Sequence, residues 1–187
     1  MNAQRRRVGR PLAESHERFR AIVESAIGQH SLGLLAEEDH PEYLNKRGLQ
    51  SILVEVAERN GIEHRFVDPC TSERKVIGYH SQEFIIETHG IGYIAAMAHE
   101  IVCQFPKREG FWLNKLRPAL DRDVLFVCGF GHLESFRKRL HDEGLEGTVL
   151  ADRVGIDDHG RDFDRRVRVY IAEHPSEFSN PSCFCHR

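Results

Sequence analysis

The stretch Val124-Leu125-Phe126-Val127-Cys128-Gly129-Phe130-Gly131-His132 decides the predicted fold. Its first five residues form an unbroken apolar run, which is typical of a short strand buried on both faces. Glycines mark the turn that follows, and apolar residues then recur at helical spacing up to Gly144. A strand that passes through a tight turn into a helix is the repeating unit of an α/β sheet.

Other segments of the chain fit the same pattern. Leu32-Gly33-Leu34-Leu35-Ala36 predicts a buried strand, and the amphipathic helix after it stops at Asn60-Gly61. His64-Arg65-Phe66-Val67 predicts a second strand, and we expect further strands at 148–150 and 166–172. Strands that alternate with helices predict an α/β fold, with a parallel or mixed sheet covered by helices on both faces.

The length sets the expected domain organisation. A chain of 187 residues fits one globular domain, which we place at 16–175. Residues 1–15 predict a flexible basic arm and 176–187 a flexible tail, whose Cys183, Cys185 and His186 lack a fourth metal ligand. Aspartates and arginines mix in 157–164, which favours a solvated loop or hairpin.

Composition and charge exclude several classes of protein. The chain is 40% hydrophobic and 29% charged, unlike collagen-like or disordered chains. Four arginines give the first ten residues a charge of +4, against −3 for the whole chain, so the remaining residues carry −7. Nucleic acid is therefore an expected partner only through the basic arm. Because no apolar run approaches the ~18 residues of a membrane span, we expect a cytoplasmic protein without a membrane partner.

Two polar clusters follow predicted strands. Glu37, His40 and two further acids come directly after the first strand, and His132 follows the strand at 124–128. Ligand sites of α/β sheets lie beyond the carboxyl ends of the strands, so we expect Glu37, His40 and His132 to share one edge. Carboxylates and imidazoles there serve acid–base catalysis or hold Zn, Mn or Fe. The alternative is that the acids cap the next helix and that His132 is structural.

A third candidate pair lies in the helix after Pro106. Arg108 and Glu109 combine a guanidinium, which suits a carboxylate or phosphate group, with a carboxylate that can take part in catalysis. The alternative is an ordinary first-turn glutamate beside a surface arginine. Trp112, the only tryptophan, is expected in the core.

These residues resemble three motifs of the superfamily that holds erythromycin esterases, the ChaN haem-binding proteins and the Tiki and TraB metalloprotease-like proteins. Leu34 to His40 resembles the family's strand ending in Gly-Glu-x-x-His, with Ala36 in place of the glycine. Arg108-Glu109 resembles its Arg-Glu helix, and 127–132 resembles its late strand with a terminal histidine. The nearest resemblance is to small uncharacterised bacterial proteins of this type, which share Asp68-Pro69 with Glu73-Arg74.

The resemblance implies a hydrolase that cleaves an ester, amide or phosphoester bond of a small-molecule or peptide substrate. Its catalytic residues would be Glu37, His40, Arg108, Glu109 and His132. In an esterase-like mechanism a glutamate or histidine takes a proton from water. In a protease-like mechanism Glu37, His40 and His132 hold a divalent metal whose bound water attacks. The alternative is a non-catalytic module that binds a metal, a small ligand or, less favoured, haem.

Overall fold

The computed structural model describes residues 5–152, 154 and 156–179, and these divide into two compact units. The first is drawn from Met1–Val67, Lys115–Phe130 and Thr148–Gly155, and the second from Asp68–Asn114, Gly131–Gly147 and Ile156–Arg187. The flexible tail was predicted at 176–187. Its residues Cys183, Cys185 and His186, which were considered as metal ligands, lie outside the described residues.

The first unit contains a parallel sheet of three strands, β1 (Leu32–Glu37), β2 (Glu63–Phe66) and β3 (Asp123–Val127). The strand order is β2-β1-β3, and Leu35 of β1 lies opposite His64 of β2 and Leu125 of β3. The structure therefore confirms the α/β class and the three strands predicted from apolar runs. All three strands are parallel, so of the two predicted alternatives, a parallel or a mixed sheet, the structure has the parallel one.

The helices of the first unit are α1 (Arg5–Gln29), α2 (Pro41–Arg47) and α3 (Ile52–Asn60), with a 3₁₀ turn at Arg117–Ala119. Helix α1 begins at Arg5, whereas the apolar residues at helical spacing begin only at Phe19. The ends of α3 follow from local chemistry: the Ser51 hydroxyl caps the amides of Leu53 and Val54. Gly61 ends the helix at φ 65°, a left-handed conformation that suits glycine.

The core of this unit lies where α1 and α3 cover one face of the sheet. Buried residues from α1, β1 and α3 form it, with flanking apolar residues of β3: Val23, Leu35, Leu53, Val56 and Ala57, packed against Leu125 and Val127. Leu34 and Ala36 alternate onto the other face of β1 and are also fully buried. The central strand is thus shielded on both faces, as its uninterrupted apolar sequence predicts.

The second unit is helical in its described residues. Its helices are α4 (Thr71–Val76), α5 (Gln82–His89), α6 (Tyr93–His99), a π-helical segment (Glu100–Gln104), α7 (Phe105–Leu116, which ends in the first unit), α8 (Leu133–Asp142), α9 (Asp158–Glu173) and α10 (Pro175–Phe178). A 3₁₀ turn, Phe130–His132, leads into α8.

Two predicted strands and one predicted loop are wrong. Residues 148–150 form no strand, and Val149 and Leu150 are exposed at 37% and 44%. Residues 157–164 and 166–172, predicted as loop and strand, belong to the single helix α9. Asp157 caps it by accepting the Gly160 amide, and Asp–Arg pairs three and four residues apart line it.

Candidate functional site

The polar groups of the second unit gather around one face of α7. Arg108, Glu109 and Trp112 lie three and four residues apart on this helix, so their side chains project from the same side. His132 follows Gly131, whose Cα approaches the ring of Phe105: an added Cβ would lie 3.5 Å from it. That distance is an ordinary van der Waals contact, and Arg108, Glu109, Trp112 and His132 are each at most 9% exposed as whole residues.

The central contact is a buried pair between Glu109 and His132. Glu109 Oε1 lies 2.9 Å from His132 Nδ1, and Arg108 Nη1 lies 3.4 Å from His132 Nε2. A guanidinium only donates hydrogen bonds, so Nε2 is the acceptor and Nδ1 carries the proton that is donated to Glu109. The Ser135 hydroxyl donates a second hydrogen bond to the same Glu109 oxygen. In this arrangement His132 donates from Nδ1 to Glu109 and presents Nε2 to Arg108.

Aromatic rings hold this imidazole in place. The ring of Phe105 stacks on His132 with centroids 3.4 Å apart, and Trp112 meets it edge-on at 4.6 Å. These contacts fix the plane of the imidazole while Glu109 fixes its rotation. The histidine at this strand end is thus held by α7 from three directions.

Asp68 holds Arg108 from the other side. One carboxylate oxygen accepts hydrogen bonds from Arg108 Nε and Nη2, at 2.9 and 2.6 Å, and from the indole of Trp112 at 3.0 Å. The second oxygen accepts from Arg74 Nη2 at 2.6 Å. The Asp68 side chain is 3% exposed, whereas those of Arg108 and Arg74 are 11% and 25% exposed. The buried carboxylate is therefore compensated by two cations.

Tyr79 lies against both arginines. Its ring is 5.0 Å from the guanidinium carbon of Arg74 and 5.5 Å from that of Arg108, within cation–π range. Its hydroxyl donates to the Glu100 carboxylate. Burial, which disfavours the charged form, raises the pKa of both Tyr79 and Glu100. The arginines are thus packed on a neutral ring that is itself anchored.

The predicted residues Glu37 and His40 belong to the first unit and have local partners. Glu37 Oε1 accepts from Ser51 Oγ at 2.5 Å and lies 2.8 Å from His64 Nε2. His40 caps α2, because its Nδ1 accepts the Glu42 amide at 3.1 Å. The predicted shared edge that joins Glu37 and His40 to His132 stays a prediction, since His132 belongs to the other unit.

The neighbouring Glu38 contacts the turn after β3. Its Oε2 accepts the Gly129 amide at 2.6 Å, and a Cβ at Gly129 would lie 3.2 Å from the same oxygen. The glycine therefore leaves room for the carboxylate. The acidic cluster and the glycine turn do meet at the carboxyl ends of β1 and β3, as the strand order requires.

The predicted metal ligands were Glu37, His40 and His132. Carboxylate and imidazole are suitable donors for Zn, Mn or Fe, but both ring nitrogens of His132 are engaged, and the partner at Nε2 is the cationic Arg108. A metal cation beside that guanidinium would be repelled, so His132 fits the role poorly as it stands.

Sequence reasoning missed four members of this cluster: Asp68, Arg74, Tyr79 and Ser135. Asp68 carried a usable signal, because it follows a predicted strand at the carboxyl edge where ligand sites of α/β sheets lie. Trp112 was expected in the core, and it is fully buried. Its indole nevertheless donates to Asp68, so it also belongs to the polar network.

Comparison with protein-family models, with curated proteins and with solved structures finds no match for this chain. The resemblance described above therefore stays a prediction. Among the described residues, no helix combines the length and apolar character needed to cross a membrane.

Proposed function

We propose that the chain is a small cytoplasmic hydrolase that cleaves an ester, amide or phosphoester bond, with His132 as its general base. The observation that carries this proposal is the buried arrangement of Glu109, His132 and Arg108. A histidine base requires a carboxylate on one ring nitrogen and an acceptor lone pair on the other, and here Glu109 lies at Nδ1 and the long contact from Arg108 lies at Nε2. The motifs behind the resemblance to the esterase-like superfamily, Arg108-Glu109 and the strand-end His132, supply these same residues.

In this mechanism His132 Nε2 takes a proton from a water molecule as the water oxygen attacks the carbonyl carbon or phosphorus. Glu109 accepts the Nδ1–H throughout and stabilises the imidazolium that forms. His132 then returns the proton to the leaving oxygen or nitrogen as the scissile bond breaks. The leaving group departs with the bonding electron pair and receives the proton that His132 took from water.

Arg108 would stabilise the negative charge that develops on the substrate. Its Nη1 lies beside Nε2, so a substrate oxygen that gains charge during the attack would lie within reach of the same guanidinium. The 3.4 Å separation from Nε2 is long for a hydrogen bond, so this contact is weaker than the one between Nδ1 and Glu109. Asp68 is a positioning residue, because it touches Arg108 and not the reacting atoms.

One observation favours a second candidate, a non-catalytic module that binds a small ligand. His132 and Glu109 are only 3% and 1% exposed, and so enclosed a pair suits a held ligand as well as a passing substrate. This candidate predicts a stoichiometric ligand in the purified protein, seen by native mass spectrometry, and no turnover.

The test is a screen of p-nitrophenyl acetate, p-nitrophenyl phosphate, bis(p-nitrophenyl) phosphate and peptide p-nitroanilides, with wild-type protein and two histidine variants. His132→Asn should lower turnover about 10²–10⁴-fold, because a general base contributes that factor. His141→Asn is the matched control, since this histidine lies on α8 with its side chain 91% exposed. Equal turnover by wild type and His132→Asn would refute the assignment.

A further inference from the structure

A surface cleft lies along α9 in the second unit, apart from the cluster around His132. It encloses about 400 Å³ and is lined by Ile94 of α6 together with Arg165, Arg166, Val169, Tyr170 and Glu173 of α9. This volume falls within the range of about 300–1,000 Å³ that is usual for small-molecule sites. The lining combines an apolar middle with charges at the ends.

The apolar middle is open to solvent. Val169, which lines the cleft, is 48% exposed. Apolar side chains that remain this exposed beside a concave surface mark a binding site more often than isolated surface residues do. An aliphatic or aromatic body would gain by covering them.

The charged residues of the cleft determine whether it binds an anion or a cation. Three arginines of α9 are paired within the helix: Arg161 with Asp158, Arg165 with Asp162, and Arg168 with Asp164. In the described part of the chain Arg166 makes no ion pair of this kind, and it lines the cleft. The charge of Arg166 acts on Asp162, but an anionic group can bind Arg166 without breaking an ion pair within 4 Å among the described residues.

Glu173 limits what the other end accepts. It lies seven residues beyond Arg166, which is about 10 Å along the helix axis. A second negative charge at that distance would meet the Glu173 carboxylate. We infer that this cleft binds a small amphipathic monoanion, an aliphatic carboxylate whose head group lies at Arg166 and whose chain covers Val169 and Ile94.

The test is a titration of the ¹⁵N-labelled 187-residue chain with octanoate, followed by ¹H–¹⁵N correlation spectra. Amide shifts should map to the cleft, at Ile94 and Val169, and Arg166→Met should weaken binding about two- to fivefold, as expected for an exposed ion pair. Arg161→Met is the matched control, because Arg161 lies on the same helix outside the lining and should leave the affinity unchanged.

Two further probes define the ligand class. Uncharged 1-octanol should bind more weakly than octanoate, and octanedioate should also bind more weakly until Glu173→Gln removes the opposing charge. Shifts that do not map to the cleft, equal affinity for octanol and octanoate, or no effect of Arg166→Met would each overturn the inference.

Discussion

Replacing Asp68 with alanine should be among the most damaging single changes in the second unit. The Asp68 carboxylate, 3% exposed, accepts hydrogen bonds from Arg108, Arg74 and Trp112. Removing it leaves the Arg108 guanidinium, whose side chain is 11% exposed, without its buried counter-charge. Breaking a buried ion pair by deleting one partner costs about 3–5 kcal/mol. For a chain of this size that corresponds to a fall in Tm of about 10 °C.

Urea denaturation measures this loss directly. Far-UV circular dichroism should follow unfolding, and the fluorescence of Trp112 gives a second probe, because the only tryptophan of the chain is fully buried. Asp142→Ala is the control, since Asp142 pairs with Lys138 at 2.5 Å on the surface. Its loss should stay within about 0.5 kcal/mol. A loss below about 1 kcal/mol for Asp68→Ala would refute the buried ion pair.

A double variant separates the charge effect from the loss of packing. Asp68→Ala with Arg108→Met removes the more buried guanidinium together with the carboxylate, and the Arg74 guanidinium that remains is 25% exposed. The double variant should therefore lose about 1–3 kcal/mol less than the sum of the two single losses, which is the coupling typical of residues in direct contact. Strict additivity would mean that the two side chains do not interact.

Three smaller changes test other parts of the structure. Burial raises the pKa of Glu100 above its ordinary 4.5, so ionisation of this carboxyl destabilises the folded state. Wild type should therefore lose stability relative to Glu100→Gln as pH rises from 4.5 to neutrality. A pH-independent difference in urea midpoints would contradict this. Gly61→Ala should cost about 1 kcal/mol, because Gly61 has φ 65°, and an unchanged midpoint would contradict the left-handed cap. Asp157→Ala should cost about 1 kcal/mol and speed amide hydrogen exchange in the first turn of α9; unchanged exchange there would argue against the cap.

The sheet could be predicted because its strands carry strong local signals. The runs at 32–36 and 124–128 are apolar on both faces, and the structure buries the central strand on both sides. Helix α9 could not be predicted in the same way, because Val167, Val169 and Ile171 alternate with polar residues as a strand would. Contacts between residues three and four apart, such as the ion pair of Arg168 with Asp164, stabilise the helix. Burial of Val167 stabilises it further.

The candidate site was predictable only in part. Arg108, Glu109 and His132 were found because their residue types suit catalysis, and the structure brings these three together. Ser135 was missed because a single serine carries no spacing pattern, and Asp68 was named only within the resemblance although it follows a predicted strand. Their role depends on tertiary contacts with α7, which a sequence read one segment at a time does not contain.

Whether Glu109 and Arg108 hold His132 with its lone pair on Nε2 can be read from a long-range ¹H–¹⁵N correlation spectrum of protein labelled at histidine ring nitrogens, with His132→Asn used to assign the signal. We expect a protonated Nδ1 and an unprotonated Nε2, with this preference reduced in Glu109→Gln. A proton on Nε2 with a bare Nδ1 would show that His132 is not held as a base in this way.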